Sequence, residues 1–368
     1  MLDKIRNFSF LFLFIVSSIL VSIGLIFISI NLISQNPNAI KSQLIASFIG
    51  IAGLLFIATK FDYKILQKEI VLKIIYGLAI FLLILVFPFG VEVNGAKSWI
   101  RLGGFSFQPA EVAKFLLIIF VAAYLSKYEH ELKDIKKLIK FAILIFFPTI
   151  LIFFEKDLGL VMLFLATVAI MLFVSKVPKR YLIITTFFIF FIFILGILIA
   201  PYRLKRLEAI VDPFKYAHSY GYQVIQALIA IARGGFKGVG IGNGIMKNYY
   251  LPEPFNDFIY ASMSEELGFI YMVFISTLFF SLLVVSFRLL ETCEDKFARY
   301  LIIGISVSIV LQAFIHIAVN LSLLPTTGIT LPFISKGGTS LIVMLFSIGL
   351  LMNIAKNSPL RLFVKIKV

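Results

Sequence analysis

The chain has 368 residues, 61% of them hydrophobic and only 14% charged, with a formal net charge of +15. A mean hydropathy of +1.04 leaves too little polar sequence to clothe a soluble fold of this size, which excludes a soluble globular enzyme. The positive charge is dispersed over short turns, with no basic helix and no aromatic base-stacking platform, so nucleic acid is excluded as a partner.

Apolar runs of roughly 17 to 25 residues, each long enough to cross a hydrocarbon core, recur along the whole chain. They predict an all-α polytopic membrane protein, one transmembrane domain over 1–368. About ten spans are expected, at 8–33, 43–59, 70–89, 108–126, 139–154, 157–174, 181–200, 259–287, 300–321 and 338–355. The first run is flanked by Lys4 and Arg6 and has no small-residue cleavage site, so it reads as a membrane helix rather than a removed signal peptide. The fifth and sixth runs are separated only by Glu155, Lys156 and Asp157, which predicts a tight hairpin. Between the seventh and eighth lies a long loop, 201–258. Within it Val224, Ile225, Leu228, Ile229 and Ala232 have the spacing of an amphipathic helix, expected to be re-entrant or interfacial.

More than half of the 34 basic residues fall in alternate connections and at the two ends, including Arg361, Lys365 and Lys367 on the tail. This asymmetry places both termini in the cytoplasm. The long connections then lie outside the membrane; rich in glycine, proline and aromatics, they are expected to form ordered re-entrant or interfacial structure. A lone cysteine, Cys293, allows no intramolecular disulfide, and three scattered histidines give no zinc motif.

In such a chain each polar residue needs a reason. Glu111 and Lys114 are three apart on one helical face and are expected to pair, because a lone charge at a span centre costs about 2.5–3.5 kcal/mol on insertion scales. Asp157 is a candidate third member. Such a set is either a structural ion-pair network or a proton relay. Arg203 and Arg206 are either snorkelling arginines or an anion clamp, since guanidinium matches phosphate oxygens. The glycine-rich stretch 234–244 lacks GK[ST] and a preceding strand, so it is read as a flexible turn that lets backbone approach lipid or substrate, not as a nucleotide loop. Asp257 is either the N-cap of the following helix or a carboxylate working beside a cationic cluster formed by Arg203, Arg206 and Lys247. Glu265 and Glu266 are expected to face other helices or the aqueous mouth.

Five ordered segments carry a family resemblance. They are "NGAKSWIRLGGFSFQPAEVAK", "EKDLG", "YRLKRLEAIVDP" with "GYQVIQALIAIARGGFKGVGIGNG", "LPEPFNDFIYASMSEELG" and "LPTTGITLPFISKGGTSL". Together they resemble the SEDS family (shape, elongation, division and sporulation), the FtsW/RodA glycosyltransferases, over nearly the whole chain and closer to the FtsW branch. The resemblance implies a β-1,4 glycan polymerase that consumes lipid II at the outer leaflet of the bacterial cytoplasmic membrane. It puts Asp257 at the family's catalytic aspartate and Glu111, Lys114 and Asp157 at its intramembrane charged set. Trp99, Gln108 and Glu253 also stand at motif positions and, with Arg101, Arg203, Arg206 and Lys247, are expected as substrate contacts. A divalent cation (Mg or Mn) and no organic cofactor are implied. The implied partners are a class B penicillin-binding protein, a transpeptidase, and other divisome or elongasome membrane proteins. Departures are Phe255 and Asn256 for the usual His-Thr, Lys336 for a tyrosine and Lys156 for a proline. The rival readings are a lipid II flippase and a non-catalytic scaffold.

Overall fold

The computed structural model describes residues 2–32, 37–93, 96–102, 105–199 and 201–360. The tail residues Arg361, Lys365 and Lys367, and Asn94 and Gly95 of the first motif, lie outside them. In chain order the helices are α1 (Leu2–Leu32), α2 (Pro37–Lys60), α3 (Glu69–Phe89), α4 (Pro109–Tyr128), α5 (Ile135–Phe154), α6 (Leu158–Val174) and α7 (Lys179–Ile199). Then come α8 (Pro201–Val211), α9 (Tyr220–Gly234), α10 (Met246–Tyr249), α11 (Ile259–Thr292), α12 (Lys296–Asn320) and α13 (Gly338–Asn357).

Each of the ten expected runs falls on a helix among the described residues, to within a residue or two at its ends. Eight of these helices are long and apolar enough to cross a membrane, and α7 makes a ninth if joined to α8 across a bend of 104°. The sixth, α6, is shorter at 17 residues. The bundle has α4, α12 and α13 at its centre, each mostly buried, while α2, α3 and α5 present long apolar faces outward. That distribution suits a lipid-solvated protein, in which the outside is as apolar as the core and backbone groups are satisfied within each helix. Small residues let α2 and α13 pack closely. A side chain at Gly349 would meet the Leu54 backbone at 2.8 Å, and one at Gly53 would meet the Phe346 ring at 2.0 Å.

The helical membrane fold is as expected, with one short β element added to it. Residues 91–107, read from sequence as re-entrant or interfacial, form an antiparallel meander of β1 (Val91–Val93), β2 (Ala96–Leu102) and β3 (Phe105–Phe107) in the order β1-β2-β3. The reason is visible in β2: Ser98 and Ile100 are buried while Arg101 is exposed, the alternation of a half-buried strand. The Lys97 N–H and the Ser98 hydroxyl both donate to the Glu155 carbonyl, at 3.1 and 3.3 Å. The meander therefore sits on the α5–α6 turn.

A second feature concerns α11. Gly268 has φ 76 and ψ 176 inside this helix and breaks it after Leu267, in a region of backbone space open essentially to glycine alone. The carbonyls of Glu265 and Glu266, orphaned by the break, accept from Val239 N (2.9 Å) and Gly240 N (3.1 Å), and Phe269 N donates to the Gly235 carbonyl (2.9 Å). The glycine-rich stretch is thus a backbone patch across a broken helix. A side chain at Gly238 would sit 2.1 Å from the Glu266 carbonyl oxygen, so only glycine fits so close. This corrects the expectation of a flexible turn reserved for lipid or substrate.

Candidate active site

Asp257 lies in the segment that leads into α11. The N-cap of α11 is Phe258 and makes no side-chain capping bond, so the N-cap alternative for Asp257 is set aside. Its backbone is instead held from outside. The carbonyls of Phe255, Asn256 and Asp257 accept in turn from Lys336 N (2.8 Å), the Ser335 hydroxyl (2.9 Å) and Asn320 Nδ2 (3.0 Å). The Asp257 carboxyl is half-buried and takes no hydrogen bond among the described residues. Burial first, then the neighbouring Glu253, push its pKa up to about 7, against the opposing Arg206 guanidinium. Glu253 itself is exposed, at positive φ, and accepts from Asn256 Nδ2 at 2.6 Å.

The arginines stand on α8, where both guanidinium groups lie over the Tyr202 ring at 5.4 and 5.5 Å. They differ in what they leave free. Of the five N–H groups each guanidinium carries, Arg203 directs three at Gly196 O, Lys156 O and Tyr202 Oη (2.7, 3.1 and 3.1 Å). Arg206 directs one at Thr326 O, at 2.8 Å. Both line a cavity of about 260 Å³ whose other walls include Leu158, Met162, Phe193 and Ile315. Thr326, Thr327 and Ile329 also line it, and Gly328 from the same loop stands beside the Asp257 carboxylate. One loop therefore separates a carboxylate from a cationic, otherwise apolar cavity.

Beneath the mouth runs a polar set. Asp157 caps α6 by accepting from Leu160 N at 2.9 Å, and accepts from Gln108 Nε2 at 3.3 Å. Burial raises its pKa to about 6, helped by Glu111 and opposed by the Leu160 N–H, Lys114 and Arg203. Lys114 donates to Glu111 Oε2 and to Gln312 Oε1, both at 2.7 Å. Gln312 Nε2 in turn donates to Thr330 O at 3.1 Å, and His316 Nδ1 meets Ile329 O at 2.8 Å. The expected Glu111–Lys114 pair is formed. The partners Gln312, His316 and Asn320 went unread, although their spacing of four in an apolar run was the available signal. Glu155 was also passed over as a site residue. It is buried, neither carboxylate oxygen is hydrogen-bonded among the described residues, and its pKa is pushed up to about 9 by burial and Asp157.

Lys247, Trp99 and Arg101, expected as substrate contacts, sit elsewhere, as do Glu265 and Glu266. Lys247 is buried against Glu266 and Asn31, so its ammonium does not join the arginines. Glu265 accepts from Arg233 Nε and from Met246 N (3.0 and 3.1 Å), and Glu266 from Gly242 N at 2.9 Å. Of the two expected alternatives, these glutamates take the first: they face other helices, α9 and α10, and anchor the backbone patch. Trp99 and Arg101 stand on β2, the first half-buried and the second exposed, and among the described residues neither makes a hydrogen bond or ion pair with Asp257 or the arginines.

The chain as a whole has known relatives. Residues 6–359 match the FTSW_RODA_SPOVE family, described as cell cycle proteins. A probable peptidoglycan glycosyltransferase FtsW of Geobacter sp. (strain M18) is 37% identical over 336 residues, 86% of each chain. The stage V sporulation protein E of Bacillus subtilis (strain 168) is 36% identical, over 86% of this chain and 87% of that one. Among solved structures, the rod shape determining protein RodA of Thermus thermophilus superposes with a TM-score of 0.68 at 24% identity, covering 94% of this chain and 95% of that one. A chain of a peptidoglycan synthase complex that coordinates polymerization and crosslinking gives a TM-score of 0.76 at 24% identity, over 94% and 96%. Family match and relatives agree with the motifs read from the sequence: this chain belongs to the FtsW/RodA/SpoVE family of SEDS peptidoglycan glycosyltransferases.

Proposed function

We propose that this chain polymerises lipid II into β-1,4 glycan at the outer face of the bacterial cytoplasmic membrane, with both termini inside and Asp257 as the general base. The observation that carries this reading is the Asp257 carboxyl, free of hydrogen bonds among the described residues and pushed up to about 7 by burial and Glu253, across one loop from the Arg206-lined cavity. In the step proposed, the acceptor hydroxyl oxygen forms a bond to the anomeric carbon of the donor sugar. The bond from that carbon to the diphosphate oxygen breaks, and the hydroxyl proton passes to Asp257. A group titrating near the working pH suits that role. A diphosphate leaves without a proton if cations meet its developing charge, a task for Arg206, which among the described residues directs only one N–H at a protein acceptor. The apolar cavity would take the first part of the isoprenoid chain.

Among the described residues no three His, Cys, Asp or Glu side chains converge on a metal-binding set. A magnesium or manganese ion at this site would be held by phosphate oxygens of the substrate and the neighbouring exposed Glu253 carboxylate, which leaves Asp257 free to take the proton. Its role would be to neutralise diphosphate charge. Assembly with a class B penicillin-binding protein belongs to the same proposal, supported by the likeness to a chain of a peptidoglycan synthase complex. The test is the purified chain in detergent with labelled lipid II: glycan ladders and one released isoprenoid diphosphate per bond are expected. Lipid II moving across vesicles without any polymer would favour the transporter reading.

A further inference from the structure

The Asn320 amide lies where α11 would otherwise wind back through Asp257. In an uninterrupted α-helix the N–H of residue 261 donates to the carbonyl of residue 257. Here the Asn320 amide stands between them: Oδ1 accepts from Ala261 N at 2.9 Å and Nδ2 donates to the Asp257 carbonyl at 3.0 Å. Nδ2 also donates to the His316 carbonyl, one turn back on α12, at 2.9 Å. The side chain is 0% exposed in a strongly apolar helix, where an amide is tolerated only with its partners in place. Each partner here sits at a fixed place in the backbone.

We infer that Asn320 is a positioning residue for the reaction: its amide, wedged into the start of α11, keeps Asp257 out of the helix and its carboxylate turned toward the substrate. The inference rests on the reading of Asp257 given above. Without the wedge, Ala261 N and the Asp257 carbonyl can bond directly, and Asp257 joins the first turn of α11. Each residue added to a helix turns by about 100° around its axis, so the carboxylate would swing away from the loop at Gly328. The holds on the neighbouring Phe255 and Asn256 carbonyls come from Lys336 N and the Ser335 hydroxyl. Neither reaches Asp257: the N–H of the Asp257–Phe258 peptide donates to the Glu253 carbonyl at 3.2 Å, and among the described residues Asn320 is the side chain that holds its carbonyl.

A natural control lies at the opposite end of the bundle. Asn353 on α13 is equally buried and also clasps backbone, accepting from Tyr63 N (3.3 Å) and donating to Ile57 O and Phe61 O (2.8 and 2.6 Å). The experiment compares Asn320→Leu, Asn320→Asp, Asn353→Leu and Asp257→Asn as full-length purified proteins. It measures kcat and KM for lipid II and melting temperature in the same detergent.

Both Asn320 variants are expected to lose about 100-fold in kcat, the scale of an ångström-sized misplacement of a reacting group. Their KM should stay within about threefold of native, since the cavity and Arg206 are untouched. Asn353→Leu is expected to lose comparable melting temperature and keep its kcat. Native kcat in either folded Asn320 variant would overturn the inference. So would an equal loss of kcat in Asn353→Leu, or failure of both Asn320 variants to fold, which would make the role structural. Activity in Asp257→Asn would overturn the reading of Asp257 and the inference with it. An inactive Asp257→Asn beside active Asn320 variants would overturn the inference alone.

Discussion

A single carboxyl with a raised pKa makes a signed prediction. Asp257 works as a base only when ionised, and its pKa stands at about 7 instead of the ordinary 3.8. Turnover should therefore rise with pH through an apparent pKa near 7 and level off above it. Arg206 favours the charged form, so Arg206→Gln should move that rise to higher pH in addition to lowering the plateau. A profile already flat from pH 5 upward would contradict the assignment. The two arginines should also separate. Arg206→Lys keeps charge but loses the planar fork and should lower turnover substantially with the melting temperature unchanged. Arg203→Lys should instead lower the melting temperature, because Arg203 directs its N–H groups at Lys156 O and Gly196 O. At this scale the Glu111–Lys114 pair was legible from spacing. Lys247 was not, because closeness in sequence to Glu253 and Asp257 says nothing about a side chain that turns inward to Glu266.

The same inward turn answers why so many carboxylates crowd the start of α11. Glu265 and Glu266 anchor the glycine-rich patch that repairs the break at Gly268. Gly268→Ala and Gly238→Ala should each destabilise the fold, by about 1–3 kcal/mol of backbone strain plus the clash with backbone at 2.1–2.3 Å. Thermal unfolding in detergent reads this, and a native melting temperature in both would contradict it. In the bundle interior, Lys114→Ala leaves Glu111 buried and unpaired, at a loss of about 3–5 kcal/mol. Replacing both residues with apolar side chains of similar volume should restore most of the melting temperature. Failure of that restoration would remove the structural role. The ten helices were legible because apolar run length is a strong signal. The β1–β3 meander was not, because its strands are short and its alternation covers only β2. Nor was the patch, whose partners across the break are main-chain atoms that leave no trace in residue type.

The whole molecule divides into a packed bundle and a one-ended site. Asp257, the arginine-lined cavity and the loop 324–330 share one end, while the buried clasps at Asn353 and Arg6 lie elsewhere in the fold. Fold and family were readable in sequence because five ordered motifs span nearly the whole chain. The site's inner support was not, since Gln312, His316 and Asn320 act through backbone carbonyls of distant segments. The central claim is that one carboxylate at this end drives glycan polymerisation. It is tested most directly by lipid II turnover of the purified chain, native against Asp257→Asn, with melting temperatures taken in parallel. The account predicts polymer from the native chain and none above background from an equally stable Asp257→Asn. Near-native polymer from that variant would contradict it.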